Sequence, residues 1–241
     1  LVFSTVNHRR DKGFFSSACE TGFVVDKTTS SVYFGVCIIF KTLIQPMTAS
    51  IYLASTSPRR QELLRQIGIE FIQIPLDVDE RQMSQESADT YVRRLALLKA
   101  REGLITLAPT DTRPVLGADT IVVLDGRIFG KPADETEAKN MLKALSGRRH
   151  QVMTAIALVT HEKEEVLLRS TDVIFRPLSD EDVNAYCQTG EFYDKAGAYA
   201  LQGKGALFVE HIEGSYSGVV GLPLMETADV LARFGVSVLV K

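Results

Sequence analysis

Asp119 is the residue of this chain whose setting most needs a chemical explanation. It interrupts an apolar run from Val115 to Leu124, with Leu116, Gly117 and Ala118 before it and Ile121 and Val122 after. A carboxylate so placed loses hydration and requires a metal, a cationic partner or a shifted pKa. Candidate cations stand elsewhere in the chain. Arg59 and Arg60 follow Ser55-Thr56-Ser57-Pro58, where Ser57 suits an N-cap and Pro58 the first helical position. Two positive charges in a first turn oppose the helix dipole, so an anion is expected beside them, and free N–H groups with guanidinium forks suit phosphate. Solvated surface arginines are the plainer alternative.

Lys99 lies four residues after Leu95 and seven after Val92, so it points with the buried face of its helix. It either snorkels at the edge of the core or reaches into a cleft. Asp125-Gly126 reads as a two-residue hairpin turn. Closing it pairs Val123 with Ile128, Ile121 with Gly130 and Thr120 with Lys131, which carries Lys131 back toward Asp119. Strict alternation puts the two on opposite faces, but Gly130 and Pro132 mark a bulge or strand end able to re-aim the lysine. Glu80 belongs to an acidic loop with Asp77 and Asp79, just beyond an expected strand Phe71 to Ile74, where ligand sites of α/β sheets commonly lie. A glycine-rich stretch from Gly190 to Gly221 adds Asp194, Lys195, Gln202 and Lys204, its glycines suggesting backbone packed against something.

Isolated carboxylates and cations near element ends describe a metal-assisted phosphate site. Mg²⁺ or Mn²⁺ is typically held by one or two carboxylates plus substrate phosphates, here Glu80 and Asp119. Lysines and arginines stabilise phosphoryl charge, and a free carboxylate orients or deprotonates water. No GxxxxGK[ST] or GxGxxG occurs, which excludes P-loop and Rossmann sites. A serine hydrolase using Ser55 or Ser57 with His150 or His211 lacks the GxSxG elbow.

The elements that must position these groups alternate. A strand from Ile51, a helix from Pro58 to Ile67, a strand at Phe71 and a helix from about Ser87 to Arg101 lead into the Val115 strand. There follow the hairpin, a helix capped by Asp134, strands Gln151 to Val159 and Val166 to Phe175, and a helix capped by Ser179. An amphipathic helix opened by Pro223 and a short Val-rich strand end the chain. This is an α/β pattern. The 241 residues are 45% apolar with a net charge of −3, enough for a real core and without the basic face of a nucleic-acid or membrane binder. Cys19, Cys37 and Cys187 form no CxxC, so neither disulfides nor zinc are indicated and a reducing cytosol fits. No apolar run reaches the ~20 residues of a membrane span. Residues 1–46 lack periodicity and are expected to be a non-native or disordered extension, with basic targeting character as the alternative and the domain running over 47–241. A chain begun at Met47 should then fold and be fully active.

From Met47 to about Phe234 the chain resembles the Maf family of nucleoside triphosphate pyrophosphatases. The resemblance rests on Leu-Ala-Ser-Thr-Ser-Pro-Arg-Arg (53–60), Leu-Ala-x-x-Lys-Ala (95–100), Gly-Ala-Asp-Thr (117–120), Gly-Lys-Pro (130–132), Leu-Ser-Gly (145–147), Asp-Lys-Ala-Gly-Ala-Tyr-x-x-Gln-Gly (194–203) and Val-Gly-Leu-Pro (220–223). It implies a mixed β-sheet with flanking helices, split by a deep cleft. The implied protein is a cytoplasmic, homodimeric, house-cleaning enzyme that uses a divalent metal to cleave the α–β bond of a nucleotide. By the same resemblance Asp119 is the proton acceptor, Glu80 a second essential acid, and Lys99 and Lys131 phosphate-binding lysines. Ser55, Ser57, Arg59, Arg60, Thr120, Asp194 and Gln202 make up the expected substrate-binding set, with Arg59, Thr120 and Gln202 setting base choice. The 7-methyl-GTP subfamily instead tends to carry Trp, Gln and Glu at those three positions, so dTTP and UTP are the expected substrates. Alternatives are a methylated purine nucleotide and a non-enzymatic regulator of septation.

Overall fold

The structure, a computed structural model, describes residues 49–239; residues 1–46 and the proposed start at Met47 lie outside them. Strand β1 (Ile51–Ala54) is buried at every position. It turns through Ser55–Ser57 into helix α1 (Pro58–Gln66), with Pro58 at the first position. The expectation that the Ser57 side chain caps this helix is not met. Ser55 instead accepts the Ser57 N–H at 3.3 Å, so the turn is closed one step earlier. Strand β2 (Phe71–Gln73) pairs in parallel with β1. Helix α2 (Ala88–Ile105), capped by the Ser87 side chain, runs past Arg101 because no breaker interrupts 101–105 except Gly103, which is buried against Val115.

Strand β3 (Val115–Leu124) is central. On one edge it pairs antiparallel with β5 (Arg149–Val159) from Val115 to Val123. On the other edge, β1 covers only Val115–Gly117, in parallel, and β4 (Arg127–Phe129) covers only Val122–Leu124. Among the described residues, Ala118–Ile121 therefore have no strand neighbour on that edge, and this gap in the sheet is the cleft. The β3–β4 turn has Asp125 and Gly126 at φ 51° and 76°, and Val123 pairs with Ile128 as expected. The ladder ends at Val122 with Phe129, so the expected pairs Ile121 with Gly130 and Thr120 with Lys131 do not form.

Helix α3 (Glu135–Leu145) follows, capped by Asp134. Strand β6 (Glu164–Phe175) and helix α4 (Asp180–Cys187), with a full capping box from Ser179 and Asp182, continue the chain. The glycine-rich stretch contains two elements that periodicity does not announce, β7 (Val209–Glu213) and the short helix α5 (Tyr216–Val220). Helix α6 (Leu224–Arg233) comes last. The expected Val-rich strand does not form over 236–239; Val236 and Val238 pack instead against the core beneath α6. The seven strands are ordered β2-β1-β3-β5-β6-β7, with β4 beside β3, which makes the mixed α/β sheet expected.

Alternation along β3 distributes its side chains between layers. Val115, Ile121 and Val123 pack with α2 residues Val92, Ala96 and Ala100. Leu116 and Ala118 pack with Leu63 and Leu64 of α1 and Leu231 of α6, and Val122 and Leu124 with α3 and α4. Each fully buried leucine, isoleucine or valine contributes about 1.5–3 kcal/mol, so both layers hold β3 firmly on either side of its gap.

Candidate active site

Asp119 and Thr120 occupy the gap and, by alternation, face opposite layers. Asp119 is 7% exposed. Its Oδ1 accepts a hydrogen bond from Lys99 Nζ at 2.8 Å, and the same ammonium lies 2.6 Å from Glu80 Oε1. Lys99 thus reaches the cleft rather than snorkelling. Glu80 Oε2 lies 3.5 Å from Lys131 Nζ. Lys131 arrives because β4 has already ended, which frees it from strand alternation. Burial pushes the Glu80 carboxyl upward, but its hydrogen bond to Lys99 and the charges of Lys99 and Lys131 outweigh this and hold its pKa below the usual range. The Glu80 loop is tied down by Tyr91, whose hydroxyl donates to the Glu80 carbonyl at 2.7 Å.

The other layer is organised by Arg60. Its Nε donates to the Gly221 carbonyl at 2.9 Å, Nη1 to Ser55 Oγ at 3.2 Å and Nη2 to Thr120 Oγ1 at 3.1 Å. Thr120 shares a 3.0 Å hydrogen bond with Thr154, whose hydroxyl donates to Gly218 at 2.7 Å. Arg60 therefore knits α1, β3 and the α5 turn together, with three of its five N–H groups committed to protein acceptors. Burial lowers its pKa, partly offset by the charge of Asp119. Arg59 has no protein hydrogen bond or ion pair among the described residues; burial lowers its pKa and the charge of Asp194 opposes the shift.

One cavity of about 890 Å³ is lined by Ser55, Ser57, Arg59, Arg60, Glu80 and Lys99. Asp119, Thr120, Lys131 and Asp194 complete it. Gln202 lies outside this lining. It borders two smaller spaces of about 50 and 440 Å³, sharing Arg59 with both and Thr120 with the smaller. Sequence reasoning missed Tyr91 and Thr154 as parts of the site, whereas Lys195 was among the polar groups read from the glycine-rich stretch. Tyr91 and Thr154 read as ordinary core positions; Lys195 lines all three spaces and stands beside the motif residue Asp194.

Glu80 and Asp119 are hard oxygen donors that converge on one cation, the Lys99 ammonium. Among the described residues no cluster of three or more His, Cys, Asp or Glu side chains is placed to hold a metal. The pair fits an ion that completes its coordination with water and substrate phosphates, the habit of Mg²⁺.

The family model described as Maf-like protein matches residues 50–234. The chain belongs to the Maf family. Among similar Maf relatives, the dTTP/UTP pyrophosphatase of Pseudoalteromonas translucida is 53% identical over 188 residues, covering 78% of this chain and 98% of the relative. Those of Pectobacterium atrosepticum and Nitrosospira multiformis are 54% and 50% identical, covering 76% and 78% of this chain and 92% and 96% of the relatives. A solved structure, that of the Staphylococcus aureus Ham1 protein, is 18% identical with a TM-score of 0.39, covering 52% of this chain and 71% of that one.

Proposed function

We propose that this Maf-family protein hydrolyses the α–β phosphoanhydride of dTTP and UTP, giving the nucleoside monophosphate and pyrophosphate. The observation that carries the reading is the pair of carboxylates, Asp119 and Glu80, gathered on Lys99 inside a cleft whose walls also hold Arg59, Arg60 and Lys131. The names of the relatives point to the same chemistry.

Asp119 Oδ2 accepts no hydrogen bond among the described residues and belongs to a cavity-lining side chain, so it is available to a water molecule. In the proposed reaction the oxygen of that water bonds to Pα, its proton passes to the Asp119 carboxylate, and the bond from Pα to the bridging oxygen breaks, so that pyrophosphate leaves. Lys99 and Lys131 meet the charge that collects on the departing pyrophosphate. Lys99 also fixes Asp119 Oδ1, which orients the free oxygen. Glu80 and Asp119 would hold a divalent cation; when bound, it adds positive charge beside the phosphates. Arg59, Thr120 and Gln202 border the spaces where the base would be read, and a glutamine amide both donates to and accepts from a uracil or thymine edge.

The family resemblance supports a homodimer working in the cytoplasm as a house-cleaning enzyme. Among the described residues no helix is long and apolar enough to cross a membrane. Pyrophosphate release from a panel of canonical and modified triphosphates, with and without Mg²⁺ or Mn²⁺, tests the whole reading. Fastest turnover of dTTP and UTP that stops on chelation is expected. Preference for 7-methyl-GTP, or no release from any nucleotide, would overturn it.

A further inference from the structure

Gln202 sits on a turn between two short 3₁₀ segments, Ala196–Ala198 and Lys204–Phe208. A loop has no register of its own to fix a side chain, so something must hold this one where the base would be read. The amides just after Gln202 point to a single side chain. Lys204 N–H donates to Glu191 Oε2 at 2.8 Å and Gly205 N–H donates to Glu191 Oε1 at 3.1 Å. The carboxylate also fills the space beside the backbone at Gly203, where a Cβ would fall 2.6 Å from Glu191 Oε2 and closer still to Oε1. A side chain at 203 would displace the carboxylate from this contact. Gly205 is equally confined, since a Cβ there would lie 2.7 Å from the Ala200 carbonyl oxygen.

Glu191 is itself anchored to the core. The Tyr186 hydroxyl donates to Glu191 Oε1 at 3.2 Å, and Tyr186 is 4% exposed, with its ring edge-on to Phe208. The Glu191 amide donates to Thr189 Oγ1 at 3.2 Å, and that hydroxyl donates to the Tyr186 carbonyl at 2.7 Å. Charge-assisted hydrogen bonds to backbone amides are short and directional, and two in parallel fix an orientation as well as a distance. A chain of contacts therefore runs from the core through Tyr186 and Glu191 to the backbone that carries Gln202.

We infer that Glu191 is a positioning residue for base selection: its carboxylate clamps the 203–205 backbone and so sets where Gln202 meets the base beside Arg59 and Thr120. Glu191 lies apart from the carboxylates gathered on Lys99 and takes no part in the chemical step. This rests on the reading of Gln202 as the base-reading residue.

The test is the ratio of kcat/KM for dTTP to that for dGTP, measured on the full chain and on four variants. Glu191→Gln places an amide where a carboxylate received two N–H groups, and Gly203→Ala pushes the turn off the carboxylate. Each should lower the ratio about tenfold, chiefly through KM for dTTP, with kcat for dTTP held within about threefold. Tyr186→Phe loses one hydroxyl at constant shape; it should lower the ratio about threefold, and it remains readable should the other two fail to fold. Gln202→Ala is the reference and should lower the ratio at least as far. A role confined to stability would scale both substrates together and leave the ratio alone. An unchanged ratio in the folded Glu191, Gly203 and Tyr186 variants, with Gln202→Ala altered, overturns the inference. An unchanged ratio in Gln202→Ala removes the base-reading assignment, and the positioning role falls with it.

Discussion

Gly117 and Ala100 bring the backbones of β3 and α2 into direct contact: a Cβ on Gly117 would lie 2.6 Å from the Ala100 amide nitrogen and deeper still into the Ala96 carbonyl. This approach lets Lys99, next to Ala100, reach Asp119 two residues beyond the glycine. Gly117→Ala must push the helix away. We expect about 1–3 kcal/mol of destabilisation and at least a tenfold fall in pyrophosphate release by the protein that remains folded. Denaturant unfolding and activity measured on one preparation check both, and undiminished activity would break the link between helix approach and chemistry.

Asp119→Asn keeps the shape of the side chain and removes the base. Lys99 retains Glu80 as a partner at 2.6 Å, so the ammonium is not left unpaired. The fold should survive, as read by circular dichroism, while turnover of dTTP falls about 10²–10⁴-fold. Near-normal turnover would refute the role given to Asp119.

Arg60→Lys tests the fork that joins Ser55, Thr120 and Gly221. One ammonium on a flexible stem cannot serve acceptors spread over three elements as a planar guanidinium does. A loss of about 1–3 kcal/mol in stability is expected, with a higher KM for dTTP. Unchanged thermal melting together with unchanged KM would show that charge alone matters at this position.

His150 gives a pH dependence. Burial lowers its pKa to about 4 from the ordinary 6.5, and its Nε2 shares a 2.8 Å hydrogen bond with the Tyr199 hydroxyl. The unfolded chain binds the proton more readily than the folded one, so stability rises with pH across this window. The contribution is complete above about pH 6.5 and is lost as pH falls toward 4, about 3 kcal/mol in all. Urea unfolding at about pH 7 and about pH 4.5 should show a steeper loss for the native chain than for His150→Gln; equal slopes would remove His150 from the account.

Much of this site was legible in the sequence because charged residues in apolar company are rare. Asp119 inside an apolar strand was readable as a carboxylate in need of a metal or cationic partner, and Lys99 on the inward face of a helix as either snorkelling or entering a cleft; that the two meet was not readable. Nor was the face that Lys131 takes, since it depends on where a ladder stops, and Gly130-Lys131-Pro132 permits several stopping points. Thr154 gave no signal: a buried threonine in a strand is usual, and its link to Thr120 and Gly218 exists only once three elements are assembled. Strand β7 stayed hidden because Val209-Glu210-His211-Ile212-Glu213 is short and mostly polar, and its pairing with β6 is what makes it a strand. Gln202 was readable as a polar residue in a motif, but its separation from the main cavity depends on how the glycine turns fold back.

The gap between β1 and β4 also carries a consequence for protein synthesis. The residues around it are drawn from Ser55 to Asp194, and Arg60 finds its carbonyl partner only after Gly221 has been made. Contacts so distant along the chain form late. A ribosome-bound fragment that ends before Gly221 therefore has the carboxylates of Glu80 and Asp119 but lacks the carbonyl that fixes the Arg60 guanidinium beside them.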